Sequence, residues 1–227
     1  MRVIPPGCLS LAVLLLLLLL FPLIFANAIL LALAKLGLSA QTSFLAALAI
    51  FFGGAVNIPV KRIPRDELIE VMPFDLFGVE RFFPRLVRRR SYTVIAVNVG
   101  GCLVPCLLAA YEIMRLAAGG AGALVAVGVA AGMNIAVCYR LARPVPGVGI
   151  ALPPLVPAFL AAACGLALAR EQAPLVAFTA GVLGPLVGAD LLHMRDVRRI
   201  ATGVASIGGA GTFDGIVLSA LVATLLA

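Results

Sequence analysis

Hydrophobic residues in this chain form long, nearly uninterrupted stretches separated by short polar links. About 20 apolar residues in a helix cross a hydrocarbon core of roughly 30 Å. The pattern therefore predicts an all-α, polytopic membrane protein that forms a single transmembrane domain over residues 1–227. Seven spans are expected, near residues 9–34, 41–60, 92–114, 118–138, 152–169, 174–194 and 203–227.

Composition supports a membrane location. Apolar residues make up 63% of the 227 residues, charged residues only 12%, and the mean hydropathy is +1.17. A water-soluble domain of this size could not bury so much apolar surface.

The distribution of basic residues predicts the orientation. With the N-terminus in the cytoplasm, all of the 17 Lys and Arg residues except Lys35, Arg115 and Arg170 fall on the cytoplasmic side. Such a bias is typical of cytoplasmic loops, so the C-terminus is expected outside, in a multi-pass protein of the cell's inner (plasma) membrane. Anionic lipids explain the net charge of +7, so membrane lipid is an expected partner and nucleic acid is not.

The N-terminus allows a second interpretation. Arg2, the leucine-rich run 11–21 and the triplet Ala26-Asn27-Ala28 resemble a cleavable signal peptide. Apolar sequence continues to Ala34, which favours an uncleaved helix. Cleavage would leave six spans with the same orientation.

Residues 61–91 are the largest polar segment and are predicted to form a cytoplasmic loop. The segment is short and interrupted by Pro64, Pro73, Gly78 and Pro84, so a separate domain is not expected. Its apolar residues alternate with charged ones, which favours a position in the lipid headgroup region. The alternative is a gate or a substrate-docking surface.

A second unusual stretch is 143–157, with five prolines and two glycines in fifteen residues. This composition excludes a regular helix through most of the stretch. Non-helical backbone at membrane depth is tolerated inside protein or beside a water-filled cavity. The apolar half, 147–157, is therefore a candidate cavity wall, whereas an ordinary turn outside the bilayer explains the first half.

Cysteine usage predicts neither a disulfide framework nor a metal site. The five cysteines all fall in or beside apolar stretches. Cys102 and Cys106 share a helical face, but His193 is the only histidine that could complete a zinc site. We therefore expect packing, with no metal and no cofactor.

Two acidic residues remain unexplained by loops or helix ends. Of the ten acids, only Asp190 and Asp214 lie within apolar sequence away from basic partners, and both lie near glycines. A carboxylate at the centre of a membrane costs about 2.5 to 3.5 kcal/mol on insertion scales and is usually functional. These two residues are the candidate site.

Two carboxyls that share a proton cannot both ionise, so one can act as a base toward water while the other polarises a carbonyl. In straight helices Asp190 and Asp214 would lie about 7 Å and 22 Å below the cytoplasmic boundary, too far apart to meet. They can meet if 203–211 is not helical, which its glycines permit. A helix starting at the N-cap Thr212 would place Asp214 in its first turn, where an ionised carboxylate is favoured.

Five short motifs combine Asn, Pro, Gly and Asp in apolar sequence: Asn57-Ile58-Pro59, Asn98-Val99-Gly100-Gly101, Pro146 to Ile150, Gly188-Ala189-Asp190-Leu191 and Ser206 to Ile216. Together they resemble the uncharacterised prokaryotic membrane family called domain of unknown function 1614. That family's label implies no activity.

The two aspartates are also similar to presenilin and signal-peptide-peptidase proteases, which pair an Asp on one helix with a Gly-x-Gly-Asp on the next and add a Pro-Ala-Leu element. Here Thr212 and Phe213 separate Gly209-Ala210-Gly211 from Asp214, and Pro153-Pro154-Leu155 precedes the aspartates. This resemblance implies an intramembrane aspartyl protease with a transmembrane peptide substrate. Asp190 and Asp214 would then be catalytic, and the substrate-binding residues would be Gly209, Gly211, Pro153, Pro154 and Leu155.

Two other functions remain open. In a transporter or channel, Asp214 and Asp190 would bind a cation or relay protons with His193, Asn98 or Asn134. In a membrane scaffold, both acids would be protonated and hydrogen-bonded to neighbouring helices. A short distance between the carboxyls favours hydrolysis, whereas different depths along a polar path favour transport.

Overall fold

The computed structural model describes residues 6–71, 85–145, 149–196, 203–209 and 214–227, and these are mostly helical. Seven α-helices are described, and each overlaps part of one predicted apolar stretch. The helices are α1 (Pro6–Lys35), α2 (Ala40–Gly53), α3 (Val104–Ala118), α4 (Ala121–Leu141), α5 (Leu155–Leu168), α6 (Ala173–Leu183) and α7 (Gly215–Leu226).

Three helical runs are long and apolar enough to cross a membrane: Val99–Ala118, Ala121–Leu141 and Arg170–Leu191. They include helical turns that extend α3 and α6. Four apolar helical segments are shorter: Pro22–Lys35, which is the part of α1 from its internal proline onward, Ala40–Gly53, Leu155–Leu168 and Gly215–Leu226. The apolar helices indicate a membrane protein.

The expectation of an all-α chain is wrong in one region, because part of the chain forms β-structure. Strands β1 (Asn57–Val71) and β2 (Arg85–Asn98) pair antiparallel, and β5 (Val204–Ile207) joins β2 in parallel, giving the order β1-β2-β5. A short hairpin forms from β3 (Arg143–Val145) and β4 (Gly149–Ala151).

The predicted loop 61–91 is thus a pair of strands where it is described, and its central part, 72–84, lies outside the described residues. The predicted third span also begins as strand, and its helix starts only at Val99. Residues 93–97 are Thr-Val-Ile-Ala-Val, mostly β-branched, which fits a strand as well as an apolar helix. Pro59 and Pro64 are tolerated because β1 is an edge strand.

Helix α6 lies at the centre of the bundle, packed against α3, α4, α5 and α7. Its residues from Val176 to Val182 are all buried. A helix that is apolar all round must be enclosed by others, and the sequence of α6 meets that condition. The core on one side of it includes Leu33, Leu36, Ile50, Phe178, Ile216 and Val217.

Glycines fix the position of the C-terminal continuation of α6, a π-helical segment that we call π2 (Gly184–Leu191). A Cβ on Gly181 would lie 2.8 Å from the Ala220 Cα of α7. On the α4 side, a Cβ on Gly184 would lie 2.5 Å from Asn134 Nδ2, and one on Gly188 would lie 2.4 Å from the Ile135 carbonyl oxygen. Small residues allow this close helix approach in membranes, so α6 and π2 are held between α4 and α7.

The sheet is joined to the helices by two capped turns. After β2, the Asn98 side chain accepts from the Gly101 N–H at 2.7 Å and caps a π-helical turn, π1 (Val99–Leu103). After β5, Gly208 has φ +69°, and a Cβ there would lie 2.6 Å from the carbonyl carbon of Gly101. Because β2 and β5 run parallel, both turns lie at the same edge of the sheet.

The chain before α7 is not helical where it is described, as the glycines predicted. Residues 204–207 form β5, and Gly208 and Gly209 form a turn. Helix α7 begins at Gly215, and the Asp214 side chain caps it by accepting the Ile216 N–H at 2.9 Å. The predicted cap, Thr212, lies outside the described residues.

We expect Gly188→Ala to destabilise the protein by about 1 to 3 kcal/mol, because its methyl group overlaps the backbone of α4. Gly132→Ala is the matched control, since a Cβ at Gly132 meets nothing within 4 Å; its stability should stay equal or rise slightly. Thermal unfolding in detergent measures both. Equal stability of the two variants would contradict the close packing.

The Asp214 cap predicts a difference between two substitutions. Asp214→Ala should lower stability by about 0.5 to 2 kcal/mol, because the first turn of α7 loses its side-chain acceptor. Asp214→Asn keeps an acceptor oxygen and should remain near wild type. The same unfolding measurement tests this, and an Ala variant as stable as wild type would rule out the cap.

Candidate functional site

Asp190 and Asp214 line one cavity of about 250 Å³. The two residues come from different elements, π2 and the start of α7, and both are half-buried. Their carboxyls are close enough to interact electrostatically. The lining residues are Ile150, Ala151, Leu152, Pro154, Pro185, Ala189, Asp190, Asp214, Gly215 and Ile216.

Asp190 is placed by the π-helical geometry of its segment. Pro185 near the start of π2 donates no N–H, and Gly184 and Gly188 allow the close contact with α4 described above. π-Helices are rare and occur frequently at functional sites. The Asp190 carboxylate also accepts a backbone hydrogen bond from Gly208, in the turn after β5.

Asp214 reaches the cavity because α7 starts late. A continuous helix from residue 203 would carry Asp214 far from Asp190 along the bundle. Instead, 203–209 is strand and turn, and Asp214 stands at the N-terminus of α7. The cap to Ile216 fixes one carboxylate oxygen. The two aspartates could meet only if 203–211 is not helical, and its described part, 203–209, is not helical.

The Pro153-Pro154-Leu155 element is divided among three positions. Pro154 lines the aspartate cavity. Pro153 lines a neighbouring cavity of about 460 Å³, which shares Ala151 and Leu152 with the first. Leu155 is the first residue of α5, is 55% exposed and lines neither cavity. Residues 150–154 form walls of these two cavities, within the stretch 147–157 whose composition made it a candidate cavity wall.

The glycines before Asp214 have different positions from those expected. Gly209 is exposed, and its N–H donates to the Ser206 carbonyl at 3.1 Å, so it supports the turn without lining the cavity. Gly211 lies outside the described residues. The glycine that contacts the site is Gly208, which the sequence alone did not single out. The positive φ of Gly208 is characteristic of glycine, but its bond to Asp190 depends on tertiary packing.

Three other polar residues are engaged in backbone hydrogen bonds. His193 Nδ1 lies 3.1 Å from the carbonyl oxygens of both Gly188 and Ala189, and its ring stacks on Tyr139 with centroids 4.9 Å apart. Asn134 donates to the Ala180 carbonyl at 2.8 Å, and Asn98 donates to the Gly54 carbonyl at 2.7 Å. These bonds stabilise turns and helix contacts, and none of the three residues lines the aspartate cavity.

The remaining buried acid and the thiol pair lie outside the cavity lining. Glu112 is fully buried and pairs with Arg115 at 2.9 Å, as its position beside Arg115 suggested. Cys102 and Cys106 have sulfurs 3.9 Å apart. In the described part of the chain, no three His, Cys, Asp or Glu side chains cluster so that they could hold a metal ion.

Comparison with known proteins identifies the family. No curated protein and no solved structure matches the chain. The family described as "Protein of unknown function (DUF1614)" matches residues 51–226, which include the sheet, both π-helical segments and both cavity aspartates. The chain belongs to the DUF1614 family.

Proposed function

We propose that this protein is an intramembrane hydrolase of the aspartyl protease type, with Asp190 and Asp214 as catalytic residues. The observation that carries the proposal is the single cavity lined by both carboxyls. Two interacting carboxyls retain one proton between them, which supplies an acid and a base at the same place. The chemistry requires no metal and no nucleophilic side chain.

The surroundings suggest which carboxyl has which role. Asp214 accepts the Ile216 N–H at the N-terminus of α7, where the helix dipole favours a negative charge. Asp190 shares the cavity with that charge and is therefore the protonated partner. Asp214 removes a proton from a water molecule, the resulting hydroxide adds to the substrate carbonyl carbon, and Asp190 donates its proton to the carbonyl oxygen. Proton transfer to the leaving nitrogen then breaks the C–N bond, giving one carboxyl and one amine product.

A transmembrane peptide is the substrate that this arrangement suits. A helix shields its own peptide bonds, so a scissile bond must be presented in extended form. Strand β5 lies at an edge of the sheet, and the turn that follows it is bonded to Asp190. An exposed strand edge binds extended peptide through main-chain hydrogen bonds. The apolar wall of Ile150, Leu152 and Pro154 complements apolar substrate side chains.

The proposed topology follows the basic residues. We infer a cytoplasmic N-terminus, an external C-terminus and seven crossings of the cell's plasma membrane. The aspartate cavity would open toward the cytoplasmic side, where the β3–β4 hairpin carries Arg143. Helices α2, α5 and α7 have 12 to 14 residues and extend only about 18 to 21 Å, so strands and turns would complete their crossings.

Ion or proton transport is the second candidate, supported by the same half-buried carboxylates in apolar sequence. A relay would use Asn98, Asn134 or His193, which here bond to backbone carbonyls and do not line the cavity. Among the described residues, these three therefore do not extend the aspartate cavity into the polar path that transport needs, and transport is less well supported than hydrolysis. A scaffold role accounts for the carboxyls but gives no reason for a shared cavity.

The test is cleavage of a pool of single-span peptides by the full-length protein reconstituted in liposomes, with products identified by mass spectrometry. We expect Asp190→Asn and Asp214→Asn each to reduce cleavage by about 10²- to 10⁴-fold, because each removes one partner of the acid-base pair. The Asn variant at position 214 retains the helix cap, so loss of cleavage there would not reflect unfolding.

Asp196→Asn is the matched control, since Asp196 follows Asp190 by six residues along the chain but lies outside the cavity lining. It should cleave like wild type. Cleavage that survives in either cavity variant would overturn the proposal. An ion flux in the same liposomes that requires Asp214 but not Asp190 would support transport instead.

A further inference from the structure

A second cavity lies on one face of the sheet and shares no residue with the aspartate cavity. We call it the sheet groove. Its volume is about 250 Å³, and its walls come from β1, β2, β5 and the turn that follows π2. The lining residues are Val60, Lys61, Ile63, Ile95, Val97, Met194, Arg195 and Ile207.

Strand register explains why five of these side chains share a face: Lys61, Ile63, Ile95, Val97 and Ile207. Lys61 lies opposite Ile95 in the antiparallel pair, and Val97 lies opposite Ile207 in the parallel pair. Directly paired residues point to the same side of a sheet, and alternate residues along a strand do so too. Arg62, one residue from Lys61, is paired with Val94 and belongs to the opposite face.

The groove has two chemically distinct parts. Ile63 and Ile95 are buried in its wall, and every lining residue other than Lys61 and Arg195 is an aliphatic side chain or methionine. Lys61 and Arg195 are exposed cations contributed by β1 and by the turn after π2. Among the described residues, no acidic residue lines the groove.

We propose that the sheet groove binds an anionic phospholipid, with the phosphate held by Lys61 and Arg195 and the adjoining part of one acyl chain against the aliphatic wall. This ligand complements both the charge and the apolar surface. A peptide backbone would leave its N–H and C=O groups unsatisfied against that wall. A volume below the roughly 300 to 1,000 Å³ of enclosing ligand pockets fits a ligand that is only partly inserted and otherwise lies in the bilayer.

The site is separate from the proposed hydrolysis but mechanically connected to it. Ile207 is the last residue of β5, and the next residue, Gly208, donates its N–H to Asp190. A lipid seated against Ile207 would hold β5 in place beside the aspartate cavity. Lipid binding is measurable whether or not the protein cleaves peptides, so the two proposals can fail independently.

The experiment is native mass spectrometry of the purified full-length chain in detergent, titrated with phosphatidylglycerol or with phosphatidylcholine of identical acyl chains. We expect one tightly bound phosphatidylglycerol and weaker phosphatidylcholine binding. Lys61→Gln combined with Arg195→Gln should weaken phosphatidylglycerol binding by roughly thirtyfold, which corresponds to about 1 kcal/mol for each lost cation. Val60→Trp, at an exposed lining position, should weaken binding by filling the groove while leaving both charges.

Arg62→Gln is the matched control, because it removes one charge from the same strand on the opposite face. Its binding should stay within about twofold of wild type, the change expected for screened charge at a distance. Equal binding of the two lipids, or an equal loss per charge in Arg62→Gln, would overturn the proposal. A dimer in lipid-free detergent that Val60→Trp disrupts would also overturn it, because the occupant would then be a second copy of the chain.

Discussion

Close packing at three glycines controls the architecture around the site. Gly181 brings α6 against α7, and Gly184 and Gly188 bring its continuation, π2, against α4. In lipid there is little hydrophobic force between helices, so close van der Waals contact is a main source of their association. Because these contacts fix α6 and π2 on both sides, Asp190 is held at a defined position facing the start of α7.

The second constraint is where α7 begins. A strand pairs with β2, a turn at Gly208 packs onto π1, and only then does Asp214 start the helix. Residues 203–209 are therefore strand and turn, whereas in a straight helix they would form part of the membrane crossing. Asp214 has two roles in consequence: its carboxylate stabilises the first turn of α7, and the residue lines the same cavity as Asp190.

The apolar helices could be predicted from the sequence alone, because long apolar stretches are typical of membrane helices. Asp190 and Asp214 could be singled out as candidate residues, because acids are rare within such stretches. The non-helical stretch 203–209 and the cavity wall within 147–157 were also predictable, from the local effects of glycine and proline. Strands β1 and β2 were not, since the residues 93–97 are equally compatible with a membrane helix. The contact of Gly208 with Asp190 and the position of Leu155 outside the cavity depend on how distant segments pack.

The central claim is that Asp190 and Asp214 face each other across one cavity. The most direct measurement is thiol cross-linking of Asp190→Cys with Asp214→Cys, in a protein whose native cysteines are replaced by serine or alanine, using a short bifunctional methanethiosulfonate. Asp190→Cys with Leu225→Cys is the control, because Leu225 lies at the far end of α7 and its carbonyl bonds to Lys35. Cross-linking of the first pair alone is the predicted result. Failure of the first pair to cross-link, while each single cysteine reacts with a monofunctional reagent, would contradict the shared site.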